Sequence, residues 1–135
     1  MPIPAVRFRL DFGREEAVGP GKISLLEHIG SSGSLSQAAR ELNMSYRRAW
    51  QLLDSLNSSF RERAVLTQKG GRGGGGAALT PLGEELVSLY RSFDAQVQTL
   101  AARTFRPLAP LTGRPRAKTA RRRGPQAPVR RLSER

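Results

Sequence analysis

The side chains with the greatest chemical reach lie in one heptapeptide, Ser45-Tyr46-Arg47-Arg48-Ala49-Trp50-Gln51. Arg47 and Arg48 offer planar forks of donors, Gln51 pairs a donor with an acceptor, and Ser45 and Tyr46 add hydroxyls. The chemistry on offer is recognition through hydrogen bonds and charge. A second such stretch, Lys69 to Gly76 (KGGRGGGG), sets Lys69 and Arg72 among six of the chain's fourteen glycines. Backbone free of side chains can approach a phosphate closely. A third is Ser34-Leu35-Ser36-Gln37, short polar groups opening an apolar-periodic run. Reactive groups are scarce. The sequence has one histidine, His28, beside apolar positions, and no cysteine; its acids are scattered without metal-ligand spacing. Glu84 and Glu85 fit the positive end of a helix better than a catalytic pair. Catalysis is therefore not indicated, and neither metal nor cofactor is expected.

Periodicity supplies the elements that position these groups. Val6, Phe8, Leu10 and Phe12 alternate with Arg7, Arg9 and Asp11, which predicts a half-buried strand. A Gly-Pro-Gly break follows. Ile23, Leu25, Leu26 and Ile29 predict a short helix stopped by Gly30 and the Ser-rich cluster after it. Ser34 and Gln37 have the spacing of a capping box for a second short helix with Ala38, Ala39 and Leu42 on its apolar side. Asn43-Met44 forms a turn, and Ser45 caps a third helix. Its apolar stripe is Ala49, Leu53, Leu56 and Phe60, flanked by Trp50 and Leu52, and its outer face carries Arg47, Gln51, Asp54, Ser55 and Ser58. Two helices joined by a short turn, the second longer and basic in its first turn, form the layout of a helix-turn-helix. Long hydrogen-bonding side chains near a helix N-terminus are what major-groove contact requires.

The glycine run is bracketed by Val65–Gln68 and Ala77–Thr80, each short and compatible with a strand, so a hairpin or wing is predicted. A Walker-type loop would need Gly-Lys-Ser/Thr opening a helix, and a free linker would lack the flanking apolar residues. Thr80-Pro81 then starts a long helix to about residue 105. Leu82, Leu86, Leu89, Phe93, Gln96 and Leu100 form its stripe, with Val97 alongside. Leu86, Leu89, Phe93, Val97 and Leu100 are expected to meet the same helix of a second subunit. The fold class is therefore mainly α with a small β-wing: a winged helix-turn-helix over 1–106 plus a long C-terminal dimerisation helix.

The formal charge of +12 is uneven, because residues 107–135 hold nine basic residues and one acid. This Pro/Arg-rich stretch has few large apolar side chains and is expected to be disordered. It suits a polyanion or simply solvates the chain. A Gly113-Arg114-Pro115 core within it is similar to minor-groove hooks. No apolar run is long enough for a membrane span, and a cytoplasmic, membrane-free protein is expected.

Two runs, KISLLEHIGSSGSLSQAARELNMSYRRAWQLLDSLN and KGGRGGGGAALTPLGEELVSLY, resemble the N-terminal DNA-binding domain of ModE-type molybdate-responsive regulators. That domain is itself similar to the LysR-type winged helix-turn-helix. The resemblance implies double-stranded DNA as partner, with Ser45, Tyr46, Arg47 and Arg48 at the groove. The full expected DNA-binding set is Ser34, Ser36, Gln37, Ser45, Tyr46, Arg47, Arg48, Gln51, Lys69 and Arg72. It also implies a homodimer held by the N-terminal strand region and the long helix. Molybdate-sensing members carry a further β-barrel region. Here a basic, Pro-rich stretch follows Phe105, so no molybdate binding is expected. Two further roles stay open: a protein-interaction module, and a nucleic-acid binder without sequence preference whose tail supplies the affinity.

Overall fold

The computed structural model describes residues 4–13, 17–71 and 74–114, with side chains left aside at 69–71 and 74. Along the chain come α1 (Pro20–Ser32), α2 (Leu35–Glu41), α3 (Tyr46–Ser58), β1 (Val65–Gly71), β2 (Gly74–Leu79), α4 (Pro81–Thr104) and a 3-10 helix, Arg106–Leu111. The core is the meeting of the apolar faces of the first three helices. Ile23, Leu25, Leu26 and Ile29 of α1 pack with Ala38 and Ala39 of α2 and with Ala49, Leu53 and Leu56 of α3. Leu86 and Tyr90 of α4 close it.

The helix α1 is longer than its sequence pattern predicts. Pro20 sits in its first turn, where a missing N–H costs nothing. Gly30 lies inside the helix and does not stop it. Its role is space, since a Cβ there would come 3.2 Å from Leu79 Cδ1 of the wing. The stop is Gly33, left-handed at φ 74°, whose N–H donates to the Ile29 carbonyl.

The N-terminal alternation is real but its strand is not. Val6, Phe8 and Leu10 turn inward while Arg7, Arg9 and Asp11 face out. Among the described residues, the segment forms a single β-bridge, Leu10 with Val18. Three more of its backbone groups are met by side chains of α4. The Gln98 amide accepts from Val6 N–H at 2.9 Å and donates to Val6 O at 2.8 Å, and Tyr90 Oη donates to Phe8 O at 3.1 Å. A carboxamide pairs with a peptide group as another strand would, so period-two patterning needs no sheet here. Phe8 stacks on Tyr90 and meets Phe93 edge-on, with centroids at 4.8 and 5.2 Å.

Two further ties fix the helices. Arg91 of α4 clasps Glu27 of α1 in a bidentate pair, both contacts at 2.7 Å. The hydrogen bonds from Arg91 hold the Glu27 carboxyl below its ordinary range. The buried Lys22 of α1 donates to Ser55 Oγ of α3 at 2.8 Å and to Ala17 O at 3.1 Å.

Thr80 caps α4 by accepting from Gly83 N–H, and Pro81 occupies the first turn, as predicted. The first residues of the stretch expected to be disordered belong to the 3-10 helix Arg106–Leu111. Pro107 and Pro110 suit the turns of the 3-10 helix because their φ is already near helical. Residues 115–135, including most of the basic stretch, lie outside the described residues.

Gly83 gives the sharpest packing test. A Cβ there would stand 2.2 Å from the Ala64 carbonyl oxygen, a backbone atom that cannot rotate away. Gly21, also helical, has nothing within 4 Å of its would-be Cβ. Gly83→Ala is expected to lower stability by about 1–3 kcal/mol, and Gly21→Ala to leave it unchanged or raise it by up to about 1 kcal/mol. Urea denaturation of both variants checks this; equal midpoints would contradict it.

Candidate nucleic-acid interface

The helix α3 is held by one side. Ala49, Leu52, Leu53 and Leu56 are buried, while Tyr46, Arg47, Arg48, Trp50, Gln51 and Asp54 are exposed. Its start is fixed by Ser45, whose hydroxyl accepts from Arg48 N–H at 3.0 Å. The hydroxyl of Ser45 therefore serves the helix first. The turn between α2 and α3 closes through Met44 N–H to Ala39 O at 3.0 Å, with Asn43 left-handed at φ 56°. Asparagine tolerates that conformation better than most residues.

At the start of α2, half of the predicted capping box forms. Ser34 Oγ accepts from Gln37 N–H at 3.0 Å. The return bond does not come from Gln37; Ser34 N–H donates to Ser32 Oγ instead, at 3.2 Å. The Gln37 amide is engaged along the helix by Glu41 at 3.0 Å and by Arg40. Glu41 also meets His28 Nδ1 at 2.8 Å, so the lone histidine joins α1 to α2 at the surface. Hydrogen bonds from His28 and Gln37 hold the Glu41 carboxyl below its ordinary range. Ser34 and Ser36 sit side by side, hydroxyls 3.2 Å apart.

The wing is an antiparallel pair from Val65↔Leu79 to Gly71↔Gly74, with a register shift between Gln68 and Gly71. The strands run through most of the glycines, so the loop is tighter than the sequence pattern predicts. Arg72 lies outside the described residues, and Lys69 is placed by its backbone alone, in β1.

The residue that ties wing to helix is Asn57, on the inner side of α3. Its Oδ1 accepts from Ala64 N–H at 2.8 Å and Val65 N–H at 3.2 Å, and its Nδ2 donates to Val65 O at 3.3 Å. From the other side, Ala77 N–H donates to Gly33 O at 2.9 Å, and Thr80 Oγ1 donates to Arg63 O at 2.7 Å. These bonds leave a cleft of about 350 Å³ whose walls include Ser34, Ser36, Tyr46, Trp50, Thr67 and Gln68. Five of the ten predicted DNA-facing residues (Ser34, Ser36, Tyr46, Arg47 and Gln51) line this cleft or the shallow hollow beside it, and Arg48 is exposed on the same helix. Sequence reading missed Asn57, which has no periodic signature, and placed Trp50 with the apolar flank although its ring is exposed.

Comparison with known proteins gives the same region. Residues 21–84 match the family described as "Bacterial regulatory helix-turn-helix protein, lysR family". This part of the chain is a LysR-type helix-turn-helix domain. The chain is 44% identical over 82 residues to the "DNA-binding transcriptional dual regulator ModE" of Escherichia coli (strain K12), covering 61% of this chain and 31% of that protein. Against the "Molybdenum-pterin-binding protein MopB" of Rhodobacter capsulatus it is 41% identical over 83 residues, 62% of this chain and 31% of the relative. The "Molybdenum transport protein ModE" of Azotobacter vinelandii matches at 36% over 107 residues, 79% of this chain and 40% of the relative. The chain thus spans about a third of the length of the first two of these relatives.

On α4, Leu89, Phe93 and Leu100 are exposed and Val97 is half-buried. Leu86 belongs instead to the chain's own core at 7% exposure, so the face left open is narrower than predicted. An apolar hollow of about 640 Å³ runs between α4 and the N-terminal segment, lined by Leu10, Phe12, Phe60, Leu89 and Phe93. Among the described residues, no helix is long and apolar enough to cross a membrane.

Asn57→Ala removes the acceptor of a buried N–H, that of Ala64. The variant is expected to lose about 1–3 kcal/mol of stability, read as a lower urea midpoint. An unchanged midpoint would show that the wing root is held without this side chain.

Proposed function

We propose that the chain is a sequence-specific double-stranded DNA-binding transcription regulator working in the cytoplasm, with residues 1–106 as the DNA-binding unit. The observation that carries this reading is the one-sided burial of α3, which leaves Arg47, Arg48 and Gln51 together on its outer face. Arginine bonds bidentately to guanine O6 and N7, and glutamine to adenine N6 and N7, in the major groove. The wing lies against the DNA backbone or the minor groove, with Lys69 and Arg72 supplying charge. Ser34, Ser36 and the first turn of α3 meet phosphates alongside. Among the relatives, the one named a DNA-binding transcriptional dual regulator supports this role.

The chain works as a homodimer in this reading. Support comes from Leu89, Phe93 and Leu100, which stay exposed on a helix about 36 Å long. Two copies joined there would present two α3 helices to two half-sites.

A second reading is favoured by the charge distribution. Residues 107–135 hold nine basic residues and could supply affinity without sequence preference. One set of binding measurements separates the two. Arg47→Ala or Arg48→Ala is expected to reduce discrimination between a preferred and a scrambled duplex by about 1–3 kcal/mol. Deleting 107–135 is expected to flatten the salt dependence by about 0.9 slope units per lost phosphate contact while preserving that discrimination. Sedimentation of the bound complex is expected to give two chains per duplex. Binding abolished by the deletion and untouched by the arginine variants would favour the second reading, and one chain per duplex would remove the dimer.

A further inference from the structure

Trp50 is the side chain on α3 that the core does not account for. It lies one turn after Tyr46, and the two residues are 44% and 53% exposed. Its neighbours Ala49 and Leu53 take the buried positions, so the largest apolar group of the helix is left outside. An exposed apolar ring with no cover in the fold is an informative departure. The indole stands between two hollows. One is a shallow depression of about 600 Å³ shared with Arg47, Gln51 and Asp54. The other is the cleft toward the wing, shared with Ser34, Thr67 and Gln68.

The rim decides what kind of surface fits. Named neighbours on both sides carry hydrogen-bonding groups, and an apolar peptide laid across them would leave those groups unpaired. Duplex DNA offers the reverse arrangement. The edges of its major groove are donors and acceptors, interrupted by one apolar group, the thymine C5-methyl. Tyr46 and Trp50, at i and i+4, share one helix face, with Arg47 and Gln51 in the hollow on one side and Ser34 and Gln68 in the hollow on the other. We propose that Trp50, backed by Tyr46, packs on a thymine methyl in the major groove and so requires a T·A pair at one place in each half-site. This rests on the DNA-binding reading above and adds to it the base that an apolar side chain selects.

Replacing thymine by deoxyuridine deletes that methyl and nothing else. The test uses the full 135-residue chain and its preferred duplex, substituted at one thymine of one half-site at a time. Affinity is expected to fall about fourfold at one position, the worth of one buried carbon, and to stay level at the others. Trp50→Ala is expected to bind the thymine and deoxyuridine duplexes equally at that position while still preferring the site over scrambled DNA. Trp50→Gln serves if the alanine variant does not fold. Uniform binding by the unsubstituted protein across all deoxyuridine duplexes would overturn the proposal. So would a tryptophan variant that keeps the thymine preference. Absence of any preferred duplex would overturn the regulator reading itself, a distinguishable result.

Discussion

The carboxamide of Asn57 is the joint on which the geometry of the surface depends. It is the only described side chain that hydrogen-bonds from α3 to the first residues of the wing. The core sets the rotation of α3 through Ala49, Leu53 and Leu56, but apolar contact is non-directional and leaves the neighbouring hairpin free to slide. Three hydrogen bonds from one amide remove that freedom. The Ala77 bond to Gly33 then fixes the second strand against the end of α1, and the two anchors together frame the cleft beside Tyr46 and Trp50. If α3 and the wing act on one duplex, their spacing must be held, and polar bonds at the wing root hold it.

The long helix α4 divides its apolar surface between two tasks. Leu86 and Tyr90 fill the chain's own core, and Tyr90 also receives the N-terminal segment through Phe8. Leu89, Phe93 and Leu100 are left outside. Phe93 is shared, touching Phe8 with its edge while remaining 44% exposed. The N-terminal segment therefore borders the open apolar face. A partner docking on α4 would meet Phe12 and Leu10 as well.

Much of this was legible in the residues. Ser34, Ser45 and Thr80 each announce a helix start because a hydroxyl at that spacing has one obvious use, and each caps its helix. The stripe of α3 was legible because period 3.6 reports burial directly. The failures share a cause: a local pattern whose meaning is set by something distant in sequence. Gly30 reads as a stop, yet it exists to admit Leu79. The alternation of residues 6–12 reads as a strand, yet its partners are Gln98 and Tyr90 on a helix. Leu86 reads as part of a dimer seam, yet this chain's own core claims it. Asn57 and Trp50 carry no periodic signal, and only their surroundings give them roles.

If the outer face of α3 reads base sequence in duplex DNA, the chain must select particular sequences. Selection of bound sequences from random duplexes by the full chain tests it most directly. One motif with two-fold related halves is expected to be enriched, and to stay enriched when residues 107–135 are removed. Recovery of unenriched DNA, or of a motif that vanishes with the tail, would contradict base reading by α3.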